Sequence, residues 1–161
     1  LGTNIVIYMN MSWVQYFREL THTVKKKSKD ENTIIGAIIV GKDHEIVSTG
    51  YNSFPRGIND YQKERQKRPE KYYWFEHAER NAIYNAARIG VSTKGTTMYL
   101  SCGIPCADCA RGIINAGIVR IFCERQNITK GNIWPESYER SWEMLEEAGV
   151  NVQFYDDDFH V

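Results

Sequence analysis

Two short segments carry the residue types that do chemistry: "FEHAERNAIY", residues 75–84, and "IPCADCARGIINAG", residues 104–117. The first holds His77 and Glu79 two positions apart; the second holds Cys106 and Cys109 three apart, directly after Pro105. Proline favours the first turn of a helix, and a helix starting there sends both sulfurs from one face of that turn. Two thiolates and one neutral imidazole from His77 form a three-ligand set for zinc. They leave the fourth tetrahedral position to water, as catalytic sites do and structural sites do not. Both segments open predicted helices, whose unpaired N–H groups favour thiolate over thiol. Two thiolates also cancel the formal charge of zinc, so a bound water needs a further group to take its proton, and Glu79 is near enough in sequence to be that group. Apart, H-x-E reads as a surface pair and C-x-x-C as a weak signal; together, each in a strand–helix context, they read as a metal site.

The other cysteines and histidines do not extend this set. Cys102, at the end of a predicted strand, and Cys123, within "VRIFCE", read as buried small apolar residues. His22, His44 and His160 have no partner at a ligand spacing and read as surface or helix-face residues. The chain has 161 residues, 42% of them apolar and 25% charged, which suits one globular domain and excludes collagen-like, disordered and membrane classes. Net charge is zero, so a partner as anionic as duplex nucleic acid would need a local basic patch. Clustered cysteines in the second half suit a metal in a reducing compartment better than a disulfide framework, and no secretory signature opens the chain. The expectation is a cytoplasmic protein with no membrane partner. Residues 1–10 are set apart as an extension or expression remnant, and residues 11–161 are read as a single zinc-dependent domain.

The ligands must be positioned by the elements around them. Apolar residues recur at three- and four-residue intervals from Ser12, a candidate N-cap, to Lys27, which predicts an amphipathic helix. "IIGAIIVG" and "EIVSTGYNS" predict a buried hairpin, and residues 54–74 a long loop with a helical turn. A helix from about Glu76 to Arg88, a strand "TTMYLSC", a helix "CADCARGIINAG" and a strand "VRIFCE" follow. A helix with Pro135 near its start and Gly149 at C′, then a strand "VNVQFYD", complete the order α-β-β-α-β-α-β-α-β. This alternation predicts an α/β fold, a three-layer α/β/α sandwich around a central mixed five-stranded sheet.

H-x-E followed by P-C-x-x-C is the signature of zinc nucleobase deaminases. On "HAERNAIYNAAR" and "PCADCARGIINAGI" the chain resembles the cytidine deaminase-like superfamily, and within it the deoxycytidylate (dCMP) deaminases, from about Met11 onward. "KSKDENTIIGAIIV", "STGYNSFPRGIND" and "MLEEAGVNVQFYD" fit that branch in order and placement. The resemblance implies a zinc-dependent hydrolase that converts dCMP to dUMP with release of ammonia, supplying dUMP for dTMP synthesis. It implies His77, Cys106 and Cys109 as zinc ligands and Glu79 as the shuttle that protonates N3 and then the exocyclic nitrogen. It also implies Asn52 at a sugar hydroxyl, the N–H of Ala78 at the base carbonyl, and the backbone around Gly103 and Ile104 at the leaving amine. For the phosphate, Lys27 with Ser28 matches a basic-Ser pair of the family and Arg56 follows Asn52 in its loop. The plainer reading of "KKKSK" is a solvated helix end that complements the dipole. Ser53 stands where a glycine commonly follows the asparagine, which bears on nucleotide selectivity and on the feedback by dCTP and dTTP with magnesium found in parts of the family. Relatives form dimers or larger even assemblies, so a homo-oligomer is expected.

Other functions stay open. The substrate could be another cytosine compound: CMP, dCTP, a 5-substituted dCMP or a free nucleoside. A deaminase of RNA or single-stranded DNA would need a basic groove with exposed aromatics; only "QKERQKRPEKYYWF" could supply one, and the zero net charge disfavours nucleic acid. A non-catalytic zinc module would not need Glu79 beside an open position.

Overall fold

The computed structural model describes residues 10–125 and 135–157. Helix α1, Trp13–Val24, opens as expected at Ser12, whose hydroxyl accepts from the Gln15 N–H at 3.2 Å. It ends three residues earlier than the apolar spacing predicts, because Lys25–Lys27 tighten into a 3-10 turn. Strands β1, Gly36–Val40, and β2, Ile46–Tyr51, form the predicted hairpin. Strand β1 also pairs antiparallel with β3, Thr97–Leu100, while β3, β4 (Arg120–Cys123) and β5 (Asn151–Phe154) run parallel. The sheet is therefore mixed and five-stranded, in the order β2-β1-β3-β4-β5.

Strand β1 is buried throughout, which explains why its sequence is a continuous apolar run and not an alternation. Ile38 and Val40 face one side, where Phe17 of α1, Tyr99 and Phe122 complete a layer. Ala37 and Ile39 face the other, against Ala82 of α3 (Ala78–Ile89), Ala110 and Ile113 of α4 (Ala107–Asn115), and Leu145 of α5 (Pro135–Glu147). These are the three layers of the expected sandwich. Gly149 lies two residues past α5 with φ +73°, the left-handed C′ conformation its position predicts.

One boundary differs from the periodicity in a way that matters for the site. Helix α3 begins at Ala78, not near Glu76, because Glu76 is held extended by a two-way bridge with Ser53, at 2.8 and 3.1 Å. His77 is consequently the N-cap. Residues 54–74 contain a 3-10 turn, Lys63–Gln66, and a single-turn helix α2, Lys71–Trp74. No described helix is long and apolar enough to cross a membrane. Residues 1–9 of the segment set apart, and His160, lie outside the described residues.

Helix α3 is seated very closely on edge strand β2. A Cβ at Gly50 would stand 2.3 Å from the Ala82 nitrogen and 2.4 Å from the Ala78 oxygen, both backbone atoms that cannot move aside cheaply. The polar side chains of α3 finish the contact. Asn81 and Asn85 donate to the Tyr51 and Thr49 carbonyls at 2.8 and 2.6 Å, and Ser48 donates back to the Ala82 carbonyl at 2.7 Å. Gly50→Ala is therefore expected to lower stability by about 1–3 kcal/mol, the usual range for overpacking. A urea titration checks this, and the metal content of the purified variant should fall with it.

Candidate metal centre and its cleft

Helices α3 and α4 bring their N-termini together on the same side of the sheet. His77 and Cys106 are the two N-cap residues, both with extended backbone, and Cys109 sits in the first turn of α4. The Nδ1 of His77 is 3.5 Å from the Cys106 sulfur and 3.4 Å from the Cys109 sulfur, and all three donor atoms lie within 4.8 Å of one another. Zinc–sulfur and zinc–nitrogen bonds of about 2.3 and about 2.0 Å, meeting at the tetrahedral angle, would hold nitrogen and sulfur about 3.5 Å apart. The donor set thus fits zinc in both chemistry and spacing.

Protonation within the trio follows from its own contacts. Hydrogen bonding from Cys109, and then from His77, lowers the Cys106 thiol to about 4. The Cys106 contact and burial push Cys109 up, so the two sulfurs titrate as one coupled pair. The hydrogen bond to Cys106, supplemented by the charge of Glu79, raises His77 to about 9. A divalent cation is the chemical replacement for the protons these groups share. Glu79 is only 3% exposed, and burial, its largest influence, raises its carboxyl above the ordinary range.

His77, Cys106 and Glu79 line a cleft of about 880 Å³, within the size range of small-molecule sites, and Cys109 is buried behind them. Asn52, Gly103 and Ile104 line the same cleft, and Ala78 is the buried first residue of α3 between His77 and Glu79. The Asn52 amide is already held: Nδ2 donates to Asp30 at 3.0 Å and to the Thr33 carbonyl at 2.7 Å, and Oδ1 accepts from the Ile35 N–H at 2.8 Å. One lone pair on Oδ1 stays available.

The three residues expected to hold a phosphate are not brought to this cleft. Lys27 and Arg56 line a second, smaller cleft of about 310 Å³, beside Lys29, Tyr51 and Ser53. The reason is strand alternation: at the end of β2, Asn52 turns to the metal cleft while Tyr51 and Ser53 turn to the other. Ser28 is engaged internally, its hydroxyl donating to the Asn52 carbonyl at 2.7 Å and accepting from the Asp30 N–H at 3.2 Å.

Cys102, read as a buried core residue, is half-buried on the wall of the metal cleft, whereas Cys123 is fully buried. Neither joins the trio. His44 stacks on Trp13 at 4.4 Å and His22 lies 3.6 Å from Glu124, so both are occupied elsewhere. Sequence reasoning missed Asp30, a buried hub of the cleft. Its Oδ1 accepts from the Asn32 and Thr33 N–H groups at 2.8 and 3.1 Å, and the carboxylate also takes the ammonium of Lys71 at 2.6 Å. "DENT" was the available signal, since an Asp that bonds the N–H two and three residues on makes a local turn.

With this geometry established, the relatives of the chain follow a consistent pattern. Residues 11–125 match the family model for the cytidine and deoxycytidylate deaminase zinc-binding region. The chain is 35% identical to an uncharacterized deaminase of the luxG 3′ region of Aliivibrio fischeri, over 89% of this chain and 94% of that protein. It is 36% identical to the deoxycytidylate deaminase of Homo sapiens over 69% of this chain, and the match spans 64% of the human protein. In fold it is similar to the dCMP deaminase of cyanophage S-TIM5, whose structure was solved with dCMP and dUMP. The TM-score is 0.71 at 21% identity, over 91% of this chain and 99% of that one. A family match across most of the chain, on a sheet and helix pair that assemble a His–Cys–Cys trio beside a buried glutamate, shows that the chain belongs to the cytidine and deoxycytidylate deaminase family.

Proposed function

We propose that this protein hydrolyses dCMP to dUMP and ammonia, with zinc held by His77, Cys106 and Cys109. The observation that carries the reading is the buried carboxyl of Glu79 on the wall of the cleft, beside a His–Cys–Cys set whose spacing fits zinc. The substrate named for the human and cyanophage relatives supports dCMP among the cytosine compounds. Bound there, zinc supplies a Lewis acid that lowers the pKa of water from about 15.7 to about 7.

The chain's own residues supply the rest. Glu79, whose carboxyl burial raises above the ordinary range, is the group placed to accept a proton and return it. It takes a proton from water and passes it to N3 as the water oxygen bonds to C4. It then takes the proton of the new C4 hydroxyl and passes it to the exocyclic nitrogen, so that the C4–N bond breaks, ammonia leaves and C4 becomes the carbonyl of uracil. The N–H of Ala78, without a helical partner at the first position of α3, donates to the base carbonyl. Carbonyls around Gly103 and Ile104 accept from the leaving amine. The remaining lone pair on Asn52 Oδ1 accepts from a sugar hydroxyl.

The second cleft, with Lys27, Lys29 and Arg56, supports a place for an anionic effector of the dCTP or dTTP type with magnesium. A homo-oligomeric state, a cytoplasmic location and a role in dUMP supply complete the proposal; the location rests on the reduced state that thiolate ligands require.

One observation favours a second reading, action on a single-stranded oligonucleotide. Tyr61 and Tyr73 are 85% and 81% exposed, and Lys29 and Arg65 lie over the rings of Tyr61 and Trp74 in the same region. Ammonia release across deoxycytidine, CMP, dCMP, dCTP and a cytosine-containing single strand separates the readings. The dCMP proposal expects dCMP to be the best substrate, and turnover of the oligonucleotide alone would refute it. Glu79→Gln should keep its zinc and lose about 10²–10⁴-fold in kcat, the range of one general acid–base group. Removing the metal with a chelator should abolish ammonia release and lower Tm, and adding zinc should restore both; activity that survives complete metal removal would rule out the zinc assignment.

A further inference from the structure

We propose that Arg68 anchors the phosphate in the metal cleft and so makes the site favour a nucleoside monophosphate over the free nucleoside. This inference rests on the cytosine-nucleotide reading above. Three cationic side chains line that cleft: Arg68, Lys71 and Arg80. Their partners decide which of them can meet a dianion.

Lys71 is committed to Asp30. Its ammonium is 2.6 and 2.5 Å from the two carboxylate oxygens, and the side chains are only 12% and 2% exposed. Drawing Lys71 onto a ligand would leave a buried carboxylate without its counter-charge, which is strongly unfavourable. Arg80 is likewise held, its guanidinium contacting one Glu76 oxygen at 2.6 and 2.5 Å and lying 3.9 Å from Asp108. Arg68 differs from both. Among the described residues no carboxylate pairs with it, and the contact seen is the ring of Tyr72, 5.7 Å away. Its side chain is exposed and free to turn onto a ligand. A planar guanidinium can grip two phosphate oxygens at once, the geometry a terminal monophosphate offers.

The backbone of Arg68 is nevertheless fixed from both sides. Two residues before it, buried Gln66 donates to the Lys29 carbonyl at 3.1 Å. Three residues after it, Lys71 is clamped by Asp30. Asp30 also orients the Asn52 amide. One buried carboxylate therefore ties together the residue proposed for the sugar and the segment that carries the phosphate anchor, as a single nucleotide requires.

The test compares dUMP with deoxyuridine, which differ only by the phosphate, binding each to the zinc-loaded wild type and to Arg68→Gln and Arg68→Lys by calorimetry. Wild type should bind dUMP the more tightly. Arg68→Gln should weaken dUMP by about 10–100-fold, as expected for loss of a charge-assisted bond, while deoxyuridine changes little and Arg68→Lys recovers part of the loss. In turnover the same variant should raise KM for dCMP far more than it lowers kcat. Equal weakening of dUMP and deoxyuridine would mean that Arg68 acts only through the fold, and unchanged dUMP binding would mean that the phosphate is held elsewhere; either overturns the inference. Arg68-dependent dUMP binding without ammonia release from dCMP would instead uphold the anchor and refute the deaminase reading.

Discussion

The close seating of α3 on β2 is the contact on which the rest of the site depends. With no side chain at Gly50, the backbone of the helix can rest directly on the strand. Asn81 and Asn85 then use strand carbonyls at the sheet edge that would otherwise be left to solvent or to another chain. This fixes the height and direction of the helix, and its N-cap residue is His77. Metal–ligand distances tolerate displacements of about 0.2 Å. A helix standing off by the width of a methyl group could not bring a ring nitrogen to within 3.4–3.5 Å of two sulfurs on another helix.

The end of β2 has a second consequence. Because successive side chains point to opposite faces, Asn52 enters the metal cleft while Tyr51 and Ser53 border the smaller one. Two clefts of different chemistry are thus built from adjacent residues of one strand end. Two of the cations that line the metal cleft are paired locally, Lys71 with Asp30 and Arg80 with Glu76, whereas Arg68 has no carboxylate partner among the described residues. A net charge of zero for the whole chain says nothing of this arrangement. Recognition of an anionic group depends on which cation stays unpaired, and that is a property of positions, not of totals.

Much of the site was legible because its ligands come in two local groups. His77 with Glu79, and Cys106 with Cys109, are each set by helix geometry over one turn, so residue type and spacing alone point to a three-donor site. The element order was equally legible, since long apolar runs and amphipathic spacing survive in any packing. The start of α3 was not, because the Ser53–Glu76 bridge that displaces it joins residues far apart in sequence. The segment 54–74 was opaque for a similar reason. Its order comes from Gln66 and Lys71 reaching residues near position 30, and no periodicity records such contacts. Lys27, Ser28 and Arg56 were phosphate candidates on resemblance and chain position alone, and only the folded chain shows Lys27 and Arg56 on the smaller cleft and Ser28 bonded to the Asn52 carbonyl.

By itself the sequence determined the His–Cys–Cys set, the glutamate beside it and the layered fold, because each depends on residue type repeated at short, regular intervals. Only the tertiary structure decided which side of β2 each polar residue faces, which carboxylates hold which cations, and how the cleft around the trio is walled. The physical reason is range. Helix and strand periodicities act over a few residues, whereas Asp30 meets Lys71 and Asn52 across 41 and 22 positions of chain, and such pairings exist only once the sheet has brought them together.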